Sequence, residues 1–402
     1  MVTKRTVSAI SIALLALLVG GCSSSDSKTT EAPTAGQGNS NEGSVHLYTV
    51  NATTGQSASQ GLDAIREQQL LVDHVNDQGG LEDSCGNVWN VDLTVWDMAN
   101  SREQAIAGIR AAAGDPSVLA VLGPSPDVGN LPMIPVAGEL SMPYIIASSG
   151  AKVENWNPYS FRVQSSADLV IPSAIAEIQK SVGLESMAIL YDATQDAQSF
   201  YAEVLQDNAA EAGYKVTTVE AIQGGDVDFK SQLTRIKSTD PEWIVITTVV
   251  PEFVSIVNQM DELNMDQRIL VSDAQSLFPE AWEGTDGKVE GVYFWSPGGV
   301  VGSDIELNEP LAKSLFEDAY GELPSIWGVI GWDAAAIALE GVVQTCSPDD
   351  REALRAALGK LSDFPSAAFG EINFQNPPSG DNQTPVGAVG ITTGSGQFDL
   401  LQ

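Results

Sequence analysis

Basic residues are scarce in this chain of 402 residues. Its 19 lysines and arginines stand against 53 aspartates and glutamates, which gives a formal net charge of −34. Proteins that bind nucleic acid or anionic membranes through charge need basic surfaces that neutralise phosphates. The sequence therefore argues against both as partners. Because the acidic residues are spread along the chain rather than clustered, solubility explains most of this charge.

The chain also has little of what catalysis needs. A strand, a loop and a helix separate its two histidines, His46 and His74, and neither lies in a metal-binding spacing. The sequence has no G-x-x-x-x-G-K-S/T phosphate loop, no H-E-x-x-H zinc helix and no G-x-S-x-G nucleophile elbow. Aspartates could form a hydrolytic pair, but nothing sets their spacing. We therefore expect a protein that is not an enzyme and has no cofactor and no metal site.

Long apolar runs are rare, and the clearest one, Val7–Val19, follows Lys4 and Arg5 at the amino terminus. It is shorter than the ~20 residues that cross a membrane as a helix, and the arrangement is typical of an export signal. The residues that follow the run, Gly20-Gly21-Cys22, resemble a lipobox, in which Cys22 is acylated and becomes the mature amino terminus. An ordinary secretory signal that leaves Cys22 by chance is the alternative.

Residues 23–43 have no large apolar side chain and are rich in Ser, Thr, Gly and Asn, which is typical of a flexible tether. No second segment looks long or apolar enough to cross a membrane. The sequence thus predicts a signal peptide over residues 1–22, a tether over 23–43 and an exported protein that Cys22 anchors to the cell membrane through its lipid.

Cysteine is the rarest residue type after histidine, with three in the chain, so Cys85 and Cys346 remain once Cys22 is assigned to the lipid. Two cysteines in an oxidising compartment predict a disulfide. Two buried free thiols are the alternative.

The stretch Thr54–Gly80 shows the local pattern most clearly. Before it, Val45–Val50 is predicted to be a strand, and within it an apolar stripe that includes Leu62 and Val72 predicts a helix packed on one side. Gly79-Gly80 signals the end of that helix. Open α/β sheets bind ligands at the carboxyl ends of their strands, so the loop 55–61 is a candidate binding loop.

Strands and helices alternate in this way along most of the chain. Further strands are predicted at Val91–Trp96, Val118–Leu122, Tyr144–Ala147, Met187–Tyr191, Lys215–Glu220, Trp243–Thr247, Ile269–Ser272 and Gly291–Trp295, and further helices at Ser101–Ala113, Leu131–Leu140, Asp168–Val182, Gln198–Ala212, Phe229–Lys237, Glu252–Leu263, Leu311–Tyr320, Gly328–Gln344 and Asp349–Leu361. This order predicts an α/β protein with parallel sheets that are covered by helices on both faces. The length predicts two domains.

Several motifs occur along the chain, and their order identifies a family more strongly than any one of them does alone. They are TGQSASQG with the helix ending in HVNDQGG, then WDMANSREQAIAGIRAA, VLAVLGPSPD, FRVQSSADL, AILYDATQD, DFKSQLTRIKSTDPEWIVI and GWDAAAIALEGV. Together, from about residue 45 to the carboxyl terminus, they resemble the type I periplasmic binding proteins of the leucine/isoleucine/valine-binding branch, which are receptors of ABC transporters.

The resemblance implies two Rossmann-like lobes joined by three crossover strands, with a ligand cleft between them. Lobe 1 is expected over residues 44–164 plus 291–368, and lobe 2 over 165–290 plus 369–402. Both Cys85 and Cys346 then fall in lobe 1, which favours a bond between them.

The ligand residues match the family less well than the fold does. In amino-acid-binding members a serine and a threonine hold the ligand carboxylate, and their counterparts here are Asp127 and Gly150. The aromatic residue that caps the ligand from lobe 2 corresponds to Asp196, and the acidic residue that holds the ligand amine corresponds to Asp273. Gln60 stands where an aromatic residue is common.

The remaining ligand contacts are expected from small polar residues at strand ends. The resemblance places Ser57 in the first cleft loop and Ser125, Ser148 and Ser149 in the next two. A ligand carboxylate beside Asp127 would meet a like charge at a cost of several kcal/mol. The aspartates therefore favour a ligand with amine, amidinium or amide donors. The alternative is that Asp127 and Asp196 cap helices.

The resemblance implies a monomeric, lipid-anchored solute-binding protein of an ABC importer. It would capture a small polar solute, namely an amino acid, an amide or a related amine, and deliver it to the permease and ATPase subunits. The alternative in a different class is a sensor that reports the ligand to a signalling partner, since one fold supports both roles.

Overall fold

The computed structural model describes residues 40–401 except for 126, 148, 149, 151, 154, 155, 298, 303–305, 368, 369, 376–379, 385 and 386. The predicted signal peptide, the lipidated Cys22 and residues 23–39 of the predicted tether lie outside the described residues. Residues 40–43, which the sequence analysis assigns to the tether, instead begin the first strand. Within them the chain forms two α/β lobes, each built on its own sheet.

The sheet of the first lobe has six strands, and it is parallel apart from one short strand at its edge. The strands are β1 (Ser40–Asn51), β2 (Leu81–Glu82), β3 (Val88–Asp97), β4 (Ala120–Leu122), β5 (Tyr144–Ile146) and β6 (Ser160–Arg162), in the order β2-β3-β1-β4-β5-β6. Only β2 runs antiparallel to its neighbour. Strand β1 is buried on both faces, since Val45 and Leu47 enter one core and Tyr48 and Val50 enter the other.

Six helices cover this sheet. They are α1 (Ala58–Asp77), α2 (Arg102–Gly114), α3 (Asn130–Leu140) and, from later in the chain, α9 (Pro310–Tyr320), α10 (Ile326–Thr345) and α11 (Arg351–Leu358). Ser101 caps α2 by accepting a hydrogen bond from the Gln104 backbone N–H. Helix α1 packs tightly on β1 at Gly61, where an added Cβ would lie 2.1 Å from the Ala52 carbonyl oxygen.

The sheet of the second lobe has seven strands, of which the last two in the chain form its antiparallel edge. The strands are β7 (Ser186–Asp192), β8 (Lys215–Ile222), β9 (Trp243–Thr247), β10 (Arg268–Val271), β11 (Tyr293–Pro297), β14 (Gly387–Gly394) and β15 (Gln397–Leu400), in the order β15-β14-β11-β10-β9-β7-β8. The helices of this lobe are α4 (Ala167–Val182), α5 (Asp196–Ala212), α6 (Lys230–Ser238), α7 (Val250–Glu262) and α8 (Pro279–Gly284). The first two pack on one face and the others on the opposite face.

The chain passes between the lobes three times, as the resemblance implies. It leaves the first sheet after β6, leaves the second after β11, and returns to the second at β14 after the small antiparallel pair of β12 (Phe364–Pro365) and β13 (Glu371–Ile372). One expected boundary differs from the structure. Lobe 1 was expected to resume at residue 291, but β11 pairs with β10 and β14 and so belongs to the second sheet. A strand's sheet is decided by its hydrogen-bonding partners, which its own residues do not specify.

The predicted disulfide between Cys85 and Cys346 is present. It joins the turn between β2 and β3 to the end of α10. Asp83 lies beside it and accepts hydrogen bonds from the Cys85 and Asn87 backbone N–H groups and from the Asn87 and Trp89 side chains. Among the described residues, Asp83, Cys85 and Cys346 form the one group whose ligand atoms lie close enough together to hold a metal ion. The two sulfurs are bonded to each other, and the Asp83 carboxylate accepts the hydrogen bonds just named.

Helix α10 corrects the expectation that no later segment is apolar enough to cross a membrane. In the described part of the chain, it alone is long and apolar enough to do so by composition, but 83% of its apolar window is buried inside the protein. It packs against α1 and the first sheet, so its hydrophobicity is that of a core helix.

Candidate functional site

The carboxyl ends of the parallel strands in the two sheets face each other across a cleft. On the first lobe, Asn51 at the end of β1 shapes the wall, since its Oδ1 accepts the Ser125 backbone N–H at 3.0 Å. On the second lobe, Asp192 at the end of β7 accepts the Thr194 backbone N–H at 2.8 Å and so sets the turn into α5. Both loops therefore present their side chains to the cleft.

An inner cavity of about 20 Å³ lies where the lobes meet. It is lined by both lobes, with Ser57, Gln60, Ser125 and Trp327 from the first and Gln195, Gln198, Val249 and Asp273 from the second. Four of the predicted ligand residues therefore come together: Ser57, Gln60, Ser125 and Asp273.

Among the described residues, Asp273 is the only charged one that lines the inner cavity. It is 3% exposed, and it accepts hydrogen bonds of 3.1 Å from Gln198 Nε2 and from Tyr201 Oη. Burial raises its pKa to about 6, although the hydrogen bonds from Gln198, Tyr201 and Ser272 oppose that shift. At neutral pH the cavity therefore holds a buried carboxylate, and the described residues of its lining include no cationic side chain.

The backbone around Asp273 is strained. Asp273 and Ala274 have φ angles of 56° and 51°, a left-handed conformation that costs a residue other than glycine of order 1–3 kcal/mol. Such strain tends to occur at binding sites, where the surrounding structure imposes it. Here the two residues turn the chain sharply after β10, and the Asp273 carboxylate enters the cavity.

Two further polar atoms of the inner cavity lack partners. Ser125 Oγ and Trp327 Nε1 are buried and, within the described residues, form no hydrogen bond. Unsatisfied buried polar atoms are uncommon because each one costs about 1–3 kcal/mol. Their presence in the wall of a cavity indicates a place for a bound molecule.

A larger outer cavity of about 270 Å³ adjoins the inner one and shares Ser57, Gln60 and Val249 with it. The first lobe contributes a polar wall from the loop before α1. The second lobe contributes an apolar wall of Val249, Val250, Pro251 and Val254, with Glu280 at the rim. The cleft therefore has a small polar end and a wider, partly apolar end.

The chain matches the family model described as periplasmic binding protein over residues 49–395. This chain belongs to the periplasmic binding proteins. Members of this family are extracytoplasmic solute-binding proteins of transporters rather than enzymes.

Solved structures agree on the fold. The leucine-binding protein LivK of Thermotoga maritima is 22% identical with a TM-score of 0.77, over 89% of this chain and 97% of that one. LivJ of Streptococcus pneumoniae, solved with isoleucine, is 17% identical with a TM-score of 0.75, over 89% and 98%. A fatty acid ABC transporter substrate-binding protein from Thermomonospora curvata is 18% identical with a TM-score of 0.76, over 90% and 92%. None of the curated proteins matches the sequence.

Two other predicted ligand residues of this periplasmic binding protein lie outside the cavities. Asp196, in the first turn of α5, forms an ion pair of 2.6 Å with Arg102 of the first lobe. Gly150 lies against Tyr201, and an added Cβ would be 2.4 Å from that ring. Gly150 therefore affects the site through the position of Tyr201, whose hydroxyl donates a hydrogen bond to Asp273.

Three predicted residues cannot be placed in the site. Ser148 and Ser149 lie outside the described residues. Asp127 begins a short 3-10 helix, Asp127–Gly129, but its side chain is not among the described ones.

The structure adds four lining residues that sequence reasoning missed: Gln195, Gln198, Val249 and Trp327. The first three follow the ends of β7 and β9, so the strand-end rule that selected Ser125 could have found them. Trp327 comes from the first turn of α10. No local signal separates it from a core tryptophan.

Two polar contacts join the lobes at the mouth of the cleft. One is the Arg102–Asp196 ion pair, and in the other Gln56 Nε2 donates a hydrogen bond of 2.5 Å to Glu252 Oε1. The same Glu252 oxygen accepts the Gly225 backbone N–H at 2.7 Å. These contacts, with the inner cavity that both lobes line, describe a closed arrangement of the lobes.

Proposed function

We propose that this chain is the lipid-anchored, solute-binding component of an ABC importer. It captures a small polar solute, such as an amino acid, an amide or a related amine, and delivers it to a permease. The observation that supports this most strongly is the inner cavity, which both lobes line and which contains the buried carboxylate of Asp273. Several relatives of the same fold are transporter substrate-binding proteins.

Lobe closure would be the working step of the protein. The solute enters between open lobes and then contacts Ser57, Gln60 and Ser125 on one side and Asp273 on the other. Since a ligand shifts a conformational equilibrium only by its differential affinity, contacts that exist only when the lobes are closed favour the closed form. The closed form would then dock on the permease.

A thermal-shift screen of the full-length chain tests the binding role. The panel contains amino acids, primary amides, urea and amines. A tight binder at about 100 times its dissociation constant stabilises the folded state by about 2.7 kcal/mol. If no small solute raises the melting temperature, the proposed function is wrong.

A matched pair of variants then assigns the site. Asp273→Asn removes the buried charge and should abolish the shift that the best solute produces. Asp318→Asn makes the same change on an exposed residue of α9 and should leave that shift unaltered. Equal shifts in both variants would place the binding site elsewhere.

The anchor is tested separately. In cells that express the full chain, labelled fatty acid should be incorporated into the protein, and Cys22→Ala should prevent both the labelling and membrane retention. Labelling that persists in the variant would show that Cys22 is not the acylated residue.

A further inference from the structure

Trp327 lines the inner cavity, and its indole N–H is buried with no hydrogen-bond acceptor among the described residues. Elsewhere the indole N–H groups of Trp89, Trp96 and Trp243 each donate to an oxygen of the protein, at 2.9, 3.1 and 3.1 Å. A buried donor without an acceptor destabilises the folded state, so such donors are uncommon. Trp327 therefore has a donor that a molecule in the cavity can satisfy.

Two glycines of α10 fix the position of Trp327 in the cavity wall. At Gly331 an added Cβ would lie 2.8 Å from Ala64 Cα on α1. At Gly328, the residue after Trp327, it would lie 3.1 Å from Glu67 Cγ. Because α10 approaches α1 this closely, the start of α10 cannot shift freely, and the Trp327 donor is held at one place in the wall.

Ser125 supplies a second polar atom on the same lobe. Its Oγ is buried and likewise has no partner within the described residues, while Asn51 Oδ1 fixes the Ser125 backbone by accepting its N–H at 3.0 Å. An indole N–H can only donate, whereas a serine hydroxyl can donate or accept. The first lobe therefore presents one group that requires an acceptor and a second group that can donate to one.

The second lobe limits which acceptor can enter. A ligand carboxylate would share the cavity with Asp273, and the described lining includes no cationic side chain to offset the two like charges. An ammonium group or an alkyl chain offers Trp327 no acceptor. A neutral oxygen, as in a hydroxyl or an amide carbonyl, satisfies the first lobe without this repulsion.

We propose that Trp327 and Ser125 form a subsite on the first lobe for a neutral acceptor oxygen of the ligand, and that Trp327 sets the preference for it. This inference rests on the proposed function and narrows it to solutes that carry a hydroxyl or an amide carbonyl. A free amino acid would meet the subsite with a carboxylate. An amino alcohol or an amino acid amide would meet it with a neutral oxygen.

Calorimetric titration of the full-length chain with ethanolamine, glycinamide, glycine and propylamine tests the subsite. Ethanolamine and propylamine are similar in size and charge, but only ethanolamine has an oxygen. Propylamine should bind about tenfold more weakly than the tighter of ethanolamine and glycinamide, because it leaves the Trp327 N–H unsatisfied. Glycine should also bind more weakly than that probe because of its carboxylate. Propylamine or glycine that binds at least as tightly would overturn the proposal.

A conservative variant isolates the indole N–H. Trp327→Phe keeps an aromatic ring in the wall, so it should weaken the tighter oxygen-bearing probe about tenfold and change propylamine binding by less than about twofold. Trp332→Phe makes the same change on the same helix at a residue that lines neither cavity, and it should alter neither affinity. Equal losses for both probes in Trp327→Phe would mean that Trp327 acts by packing alone, contrary to the proposal.

NMR of the indole N–H groups gives a readout that does not depend on affinity. Sequential assignment identifies the Trp327 signal in the unsubstituted protein, so this test does not require the variant to fold. Saturating ethanolamine or glycinamide should move that signal downfield, as hydrogen bonding does to an N–H proton, and saturating propylamine should not. A Trp327 signal that neither oxygen-bearing probe moves would rule out the subsite.

The outcomes also separate this proposal from the broader one. If the thermal-shift screen finds a solute other than these four, the same NMR measurement is made with that solute. A solute that has no acceptor oxygen, or that leaves the Trp327 signal in place, contradicts the subsite while the solute-binding function stands. If no solute binds, both are wrong.

Discussion

Outside the cleft, Glu67 is the residue whose environment is most unusual for its side chain. It lies on α1 and is fully buried, and both of its carboxylate oxygens lack partners among the described residues. Burial raises its pKa to about 9, and the negative charges of Asp63 on the same helix and Asp333 on α10 add to that effect. At neutral pH the folded protein therefore holds a protonated Glu67.

Glu67 should make stability fall as pH rises. Between its usual pKa of 4.5 and its folded pKa of about 9, the folded state binds a proton that the unfolded chain has released, so the free energy of unfolding decreases with pH in this window. Glu67→Gln imitates the protonated form. It should raise the free energy of unfolding at pH 8 by up to about 4 kcal/mol and flatten its pH dependence, as measured by urea unfolding from pH 5 to pH 9.

The matched control for this experiment is Glu317→Gln on the exposed surface of α9. It should change neither the stability nor its pH dependence. If Glu67→Gln behaves like this control, Glu67 is not protonated in the folded protein.

Asp273 should make ligand binding pH-dependent in the opposite direction. Its pKa is raised to about 6, so below that pH the carboxylate becomes neutral and no longer pairs with a cationic ligand. Affinity for an amine should be constant above about pH 7 and fall by about tenfold per unit well below pH 6. Calorimetry at several pH values checks this, and constant affinity down to pH 4.5 would contradict it.

At the scale of single elements, most helices and strands agree with their sequence patterns. The apolar runs at Trp243–Thr247 and Met187–Tyr191 lie in interior, doubly covered strands of the second sheet. Helix α1 ends just before Gly79 and Gly80, both in the left-handed region, as the paired glycines predict. These agreements arise because burial on both faces and helix termination depend on neighbours in the sequence.

The Cys85–Cys346 disulfide joins two elements that are distant in the sequence, since the cysteines are 261 positions apart. Replacement of both by alanine should lower the free energy of unfolding by about 2–4 kcal/mol, because the unfolded chain regains freedom. Urea unfolding of the double variant checks this. Ligand affinity should be unchanged because neither cysteine lines a cavity, and a large loss of affinity would contradict the separation of this end of the lobe from the cleft.

At the scale of the whole molecule, closure depends on contacts that only the assembled lobes provide. The Arg102–Asp196 pair joins α2 to α5, and both side chains are partly exposed. Exposed ion pairs contribute about 0–1 kcal/mol. The pair therefore biases the closed form weakly, and ligand contacts in the cavity must supply the larger share.

Arg102→Ala and Asp196→Ala should each weaken ligand binding by no more than about fivefold, and the double variant by no more than the larger single effect. Calorimetry with the best solute from the screen measures this. A loss of a hundredfold from Asp196→Ala alone would show that Asp196 contacts the ligand, as the resemblance to the family had implied.

The sequence by itself determined the elements, the α/β class and the candidate loop before α1. These depend on local periodicity, on glycine and on the position of polar residues at strand ends. The strand-end rule selected the loop that holds Ser57 and Gln60, since the carboxyl ends of parallel strands meet at one edge of a sheet. The resemblance to the family supplied Ser125 and Asp273, and all four residues line the inner cavity.

Only the tertiary structure decided which of two similar aspartates faces the cavity. Asp196 and Asp273 both follow strands of the second sheet, but a left-handed turn directs Asp273 inward, whereas Asp196 meets Arg102 of the other lobe. The tertiary structure also brought Trp327 into the site from a helix whose sequence is typical of a core helix, and it placed β11 in the second sheet. These outcomes depend on contacts between residues far apart in the chain, which no local pattern records.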